Sequence, residues 1–134
     1  MSPVIQMCMT SVIRNRWLRS IWMLNTMLAR KMISAERYWP AYRHCAMRFR
    51  SCIEYYRLLT FVHERDGNVC QVCDKRKRRM EMHHRKTVIL HPHLALDKDN
   101  VVLLCGDCHD VESCRERALG DFYFQILTRF GNVA

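Results

Sequence analysis

Cys70-Gln71-Val72-Cys73 and Cys105-Gly106-Asp107-Cys108 decide the fold, with Met80-Glu81-Met82-His83-His84 and Asn100-Val101-Val102-Leu103-Leu104 lying between them. The two Cys-x-x-Cys pairs are separated by 31 residues. A two-residue gap lets both sulfurs of a pair point inward from one tight turn, so two such turns can surround a single zinc ion tetrahedrally. A redox dithiol is the rival reading. Closure by metal would tie the turn after Gly67 to the segment near residue 105. Met80–His84 alternates like a strand, and Asp99–Leu104 reads as a second strand running into the second pair. The stretch from His109 to Ala118 suits a helix. Strand, loop, strand and helix, with histidines at the first strand's end and the helix's start, would make a compact metal cradle.

Outward from this cradle, the chain has 134 residues and a mass of 16.1 kDa, enough for one domain or one small domain with a helical appendage. With 49% hydrophobic and 26% charged residues, 4 Gly and 3 Pro, it is neither a disordered nor a collagen-like chain. Its net charge of +9 points to a polyanionic partner, nucleic acid or an acidic membrane surface. Residues 1–60 hold ten Lys/Arg against Glu36 and Glu54, so the basic excess belongs to the first segment.

That segment reads as two helices. Ile13, Trp17, Ile21, Leu24, Leu28 and Met32 recur at helical spacing, and so do Cys45, Phe49, Cys52, Tyr56 and Leu59. Pro40 is expected to break or start a helix between them. Asp66-Gly67 supplies a stop and a turn. The expected division is a basic helical region over 1–56 and a second unit over 57–134. The arginines here, among them Arg14, Arg16, Arg19, Arg43, Arg48 and Arg50, admit three readings: a solvated face, a grip on a phosphate backbone, or an organellar transit peptide. Cys8, Cys45, Cys52 and Cys114 have no partner at ligand spacing and are expected to be buried structural thiols. Asp121–Phe130, with Phe122, Ile126, Leu127 and Phe130 on one face, reads as a closing helix. No secretory signal is visible, and the longest uncharged run, Met1–Ile13, is too short to span a bilayer. A cytoplasmic location is therefore expected, with no membrane partner.

The stretch from about Arg57 to Arg117 resembles the HNH endonucleases, in particular the small free-standing kind common in bacteriophages. The matching pieces are Arg65-Asp66-Gly67, Cys70-x-x-Cys73, His83-His84, Asn100 through Cys105, and Cys108-His109. The resemblance implies an α+β, mainly helical chain with a ββα-metal (His-Me finger) core held by a four-cysteine zinc. It implies DNA as substrate, host-cell cytoplasm for a phage-encoded member, and hydrolysis leaving a 5′-phosphate and a 3′-hydroxyl. By the same resemblance His84 would be the general base. His83 and His109 would hold a catalytic divalent ion, and Asn100 would hold the loop and orient the base. On the residues alone, Asn100 could instead cap a turn after Asp97-Lys98-Asp99. His109 could likewise support the zinc thiolates.

Many relatives carry aspartate where His83 stands, and some His-His variants place a further histidine at the position of Ser113. Two protein ligands leave an open site suited to a labile ion, Mg²⁺, Mn²⁺ or Ni²⁺, and His91, His93 or Asp110 could add a third. Otherwise His44, His63, His91 and His93 are expected to be surface or satisfied core residues. Lys75, Arg76, Lys77, Arg78 and Arg79, with Arg85 and Lys86, would place positive charge on both sides of the catalytic strand, as phosphate contacts or as a solvated loop. Nothing encodes base readout, so weak sequence preference is expected. A zinc-stabilised nucleic-acid-binding or assembly module without activity is the alternative function.

Overall fold

A computed structural model describes the backbone of residues 12–130 and the side chains among them other than those of 120–123 and 130. Cys8, Phe122 and Phe130 therefore lie outside the described groups. The chain is mainly helical with one small sheet. In order come α1 (Arg16–Ala29), α2 (Ala35–Arg50), α3 (Ile53–Arg65), β1 (Met80–His84), a 3₁₀ turn Pro92–Leu94, a second at Lys98–Asn100, β2 (Val101–Cys105), α4 (Gly106–Ala118) and α5 (Gly120–Phe130). No helix among the described residues is long and apolar enough to cross a membrane.

The first two helices begin on side-chain caps. Asn15 Oδ1 accepts from the amides of Trp17 and Leu18, both at 3.1 Å, and Ser34 Oγ accepts from Arg37 N at 3.3 Å. Two features depart from the sequence expectation. Pro40 neither breaks nor starts a helix but sits inside α2. The second apolar stripe is not one helix either: Cys52 is extended (φ −83°, ψ 159°) and separates α2 from α3. That single extended residue resets the helical phase. Tyr56, expected inward, is 55% exposed, while Leu58 and Val62 face the core.

α1 is the spine of the packing. Leu18, Ile21 and Trp22 are buried with Cys45 and Phe49 of α2 and with Ala95 from the loop between the strands. Trp22 meets His93 edge to face, with ring centroids 5.3 Å apart. Farther along, Leu28, Tyr38, Leu90 and Leu127 form a second cluster that seats α5, and Phe124 stacks on Trp39 at 5.7 Å. The helical segment and the interstrand loop thus share their apolar interior.

β1 and β2 pair antiparallel, with Met82 opposite Leu103 and His83 opposite Val102. The register turns Met82, Val101 and Leu103 toward Leu58 and Val62 of α3. The strand entry is fixed by polar ties as well. Arg65 pairs with Asp66 at 2.8 Å and donates to the carbonyls of Lys98 and Val101, both at 2.6 Å, while Asp66 Oδ2 accepts from Leu103 N at 2.9 Å. The Arg65 guanidinium beside it, with help from the Leu103 amide, holds the Asp66 carboxyl below the usual carboxylate range.

One buried amide joins three parts of this arrangement. Asn25 of α1 is fully buried, accepts from the Tyr38 hydroxyl of α2, and donates to the Ile89 carbonyl at 2.8 Å. Removing it strands two buried polar groups, each costing about 1–3 kcal/mol. Asn25→Ala is expected to lower unfolding free energy by about 3 kcal/mol, read from urea denaturation; a loss under about 0.5 kcal/mol, the range of ordinary surface substitutions, would contradict this packing.

Candidate active site

The four cysteine sulfurs at positions 70, 73, 105 and 108 lie within 4.8 Å of one another. Cys73 and Cys105 are 3.8 Å apart. Zinc–sulfur bonds of about 2.3 Å in a tetrahedron place sulfurs about 3.8 Å apart, so the donors fit such an ion in kind and spacing. The turns that present them are local necessities. After Cys73 the chain reverses through Asp74 (φ 62°), whose amide bonds the Cys70 carbonyl at 2.9 Å. Cys105 ends β2 and caps α4, its sulfur accepting from Cys108 N at 3.5 Å.

Electrostatics make the same point. Burial pushes the Cys70 thiol up, but amides around Cys73, Cys105 and Val72 outweigh it and hold the group at about 6. Cys108 is pushed up to about 12, first by its hydrogen bond to Cys105, then by burial and the other sulfurs. Four thiols so close cannot all ionise without a cation among them.

β1 carries the next residues. Glu81 and His83 share one face of the strand, and His84 takes the other. Toward α4, the His83 and His109 rings meet edge to face with centroids 5.8 Å apart. His109 Nδ1 lies 3.0 Å from Glu81 Oε2, an ion-pair contact rather than an aligned hydrogen bond, and 3.4 Å from Ser113 Oγ. With Nδ1 engaged there, Nε2 is the ring nitrogen left for a metal. Ligand atoms of Glu81, His109 and Asp110 lie within 4.8 Å of one another, although Asp110 is exposed and paired with Arg79 at 2.7 Å. Glu81 went unread in the sequence. Its position two residues before His83 on an alternating strand was the available signal.

His84 is more deeply set. Its Nε2 lies 2.8 Å from the Ala95 carbonyl, which can only accept, so Nε2 carries the proton and Nδ1 keeps a free lone pair. Burial is the main cause holding its pKa below the ordinary 6.5. Asn100, itself buried, spans the loop behind it: Oδ1 accepts from Lys86 N at 2.8 Å, and Nδ2 donates to the carbonyls of Lys86 (3.1 Å) and Leu94 (3.0 Å). Leu94 adjoins Ala95, so Asn100 secures the stretch that orients the His84 ring.

His83, His84 and His109 line one cavity of about 670 Å³, and residues of α2 and α3 line it too. Asn100 does not line it. Of the basic residues expected on a phosphate backbone, Arg50 lines it, while Arg14, Arg16, Arg19, the run 75–79, Arg85 and Lys86 do not. Within the run 75–79, Lys77 pairs with Asp107 at 2.7 Å, Arg79 with Asp110, and Arg76 donates to the Gly67 carbonyl at 3.1 Å. Lys77 and Arg79 brace the second cysteine turn and Arg76 the turn before the first, while Lys75, Arg78, Arg85 and Lys86 are exposed. Arg14, Arg16 and Arg19 are exposed on and before α1, Arg16 lying 4.6 Å over the Trp17 ring. Of the unpaired cysteines, Cys45 is buried, Cys52 half-buried and Cys114 exposed, so the last is not the buried thiol expected.

Cys105→Ser removes a donor, a strand end and a helix cap at once, and binding energy at such sites is folding energy on the order of 10 kcal/mol. The variant is expected to lose bound metal and the cooperative unfolding of residues 57–118, as read by metal analysis and circular dichroism. A folded, metal-free variant would contradict this.

No curated protein and no solved structure matches the chain. Residues 70–115 match the family model described as HNH endonuclease. Both cysteine turns, the histidine pair, Asn100 and His109 fall inside that match, so this third of the chain is similar to the HNH endonuclease family.

Proposed function

We propose that the protein is a metal-dependent nuclease that hydrolyses phosphodiester bonds in DNA, with limited sequence preference. One observation carries the reading most: His84, its Nε2 anchored on the Ala95 carbonyl, opens onto the cavity that His83 and His109 line from the side of α4. A structural zinc on Cys70, Cys73, Cys105 and Cys108 would hold this arrangement. His83 and His109 would hold a labile divalent ion such as Mg²⁺, Mn²⁺ or Ni²⁺, with Glu81 steadying His109. When bound, that ion would offset negative charge building on the phosphate and on the leaving oxygen.

The chain's own residues then have distinct tasks. His84 Nδ1 takes a proton from a water molecule whose oxygen attacks phosphorus in line. The bond from phosphorus to the 3′ oxygen breaks, and that oxygen acquires a proton from solvent, leaving a 3′-hydroxyl and a 5′-phosphate. Asn100 is a positioning residue, acting on His84 through the loop that carries Ala95. Lys75, Arg78, Arg85 and Lys86, with Arg14, Arg16 and Arg19, are available to the DNA backbone outside the cavity.

Supercoiled plasmid supplies the test. The wild type is expected to nick or cut it with Mg²⁺, Mn²⁺ or Ni²⁺, and His84→Ala is expected to lower the rate by about 10²–10⁴-fold, the usual worth of a general base. A wild type that cuts nothing under any of these ions, yet binds DNA in a salt-sensitive way, would favour an inactive binding module instead.

The pH profile follows from the direction of the His84 shift. A base held below 6.5 is already neutral at pH 6.5, so the acid limb of cleavage is expected below that value. His83 and His93 are lowered too, mainly by burial. Groups depressed in the folded state favour it fully above their unfolded pKa, so the stability of the chain is expected to fall as pH drops below 6.5. An acid limb centred above pH 7 would contradict the assignment of His84.

A further inference from the structure

The cavity that holds the histidines also carries a charge that the matched segment does not supply. Arg50 ends α2, well outside residues 70–115, and lines the same cavity as His83, His84 and His109. It is exposed, and no hydrogen bond or ion pair engages it among the described residues. The neighbouring cation, Arg117, differs in this respect, since its Nη2 is turned to Cys114 Sγ at 3.3 Å. Glu81 and Glu116 also border the cavity, yet neither pairs with Arg50. The backbone beneath Arg50 is fixed: Phe49 is 2% exposed, packs edge to face on Tyr55, and lies 6.4 Å from the His84 ring.

We propose that Arg50 binds the scissile phosphate from the side facing the metal ligands, so that the helical region contributes a catalytic group and not only a grip on distant backbone. This rests on the nuclease reading above. A guanidinium offers planar paired donors that match two non-bridging phosphate oxygens. The helix beneath it is packed, so only the Arg50 side chain itself has to settle on those oxygens as charge develops. Burial raises the pKa of Tyr42 and Tyr55, which line the same cavity, and the Arg50 charge works against that rise.

The experiment compares Arg50→Ala and Arg50→Lys with the wild type and with Arg30→Ala, an exposed arginine that does not line the cavity. Single-turnover cleavage of a duplex at saturating protein is expected to fall about 10²-fold in Arg50→Ala, as for loss of one transition-state donor. Arg50→Lys is expected to lie between, and Arg30→Ala to match the wild type. Duplex affinity and its salt dependence are expected to change by no more than one phosphate contact's worth. A second readout needs no turnover: titration of the metal-loaded protein with inorganic phosphate, followed by ³¹P NMR, is expected to show binding at least tenfold weaker in Arg50→Ala. Cleavage by Arg50→Ala at the wild-type rate would overturn the proposal and leave the nuclease reading standing. A wild type that never cleaves would sink the nuclease reading, and phosphate binding that is absent or insensitive to Arg50 would then overturn this one as well.

Discussion

Four sulfurs meeting at one point are the constraint on which the rest depends. Two paired strands of five residues each are not stable alone in water. Here the strands are fastened at one end by Cys105, which closes β2, caps α4 and completes the donor set with Cys70 and Cys73. The basic run beyond the first turn adds to the fastening: Lys77 and Arg79 reach the acidic residues at the start of α4. Charge that the sequence suggested for DNA is spent in part on holding the cradle together.

From that fastening follows the division of labour on β1. Period-two alternation sends Glu81 and His83 toward α4 and His84 toward the helical region. A single cavity can then receive the imidazoles of His83, His109 and His84 together. His84 is more buried than His83, and the Ala95 carbonyl that orients its ring lies on a loop that Asn100 ties through the neighbouring Leu94 carbonyl. That loop is packed in turn on α1 through His93 and Ala95. The helical region is thus part of the wall and of the support of the site, which is why a residue such as Arg50 can line the same cavity as the histidines.

Much of this was legible in the sequence, for identifiable reasons. Cysteine spacing, strand alternation and the His-His and Asn positions are local signals, and β1, β2 and α4 lie within a residue or three of where those signals put them. The misread places are those where tertiary context won. Pro40 is accommodated within α2, and the extended Cys52 splits an apolar stripe that looked continuous, moving Tyr55 inward and Tyr56 outward. Neither event has a signature in periodicity alone. Asn25 looked like any polar residue on a helix until the fold placed Tyr38 and Ile89 beside it. Glu81 was readable from the alternation that puts it on the same strand face as His83. Which arginines face the cavity depended on the α2–α3 break and was beyond reach of the sequence.

The central claim, that one tetrathiolate ion organises the cradle holding the three histidines, is tested most directly by X-ray absorption at the zinc edge on protein purified without added metal. The account predicts one zinc per chain with four sulfur neighbours at about 2.3 Å and no nitrogen in the inner sphere. A zinc bound by mixed nitrogen and sulfur, or a folded chain whose four cysteines are joined as disulfides, would contradict it.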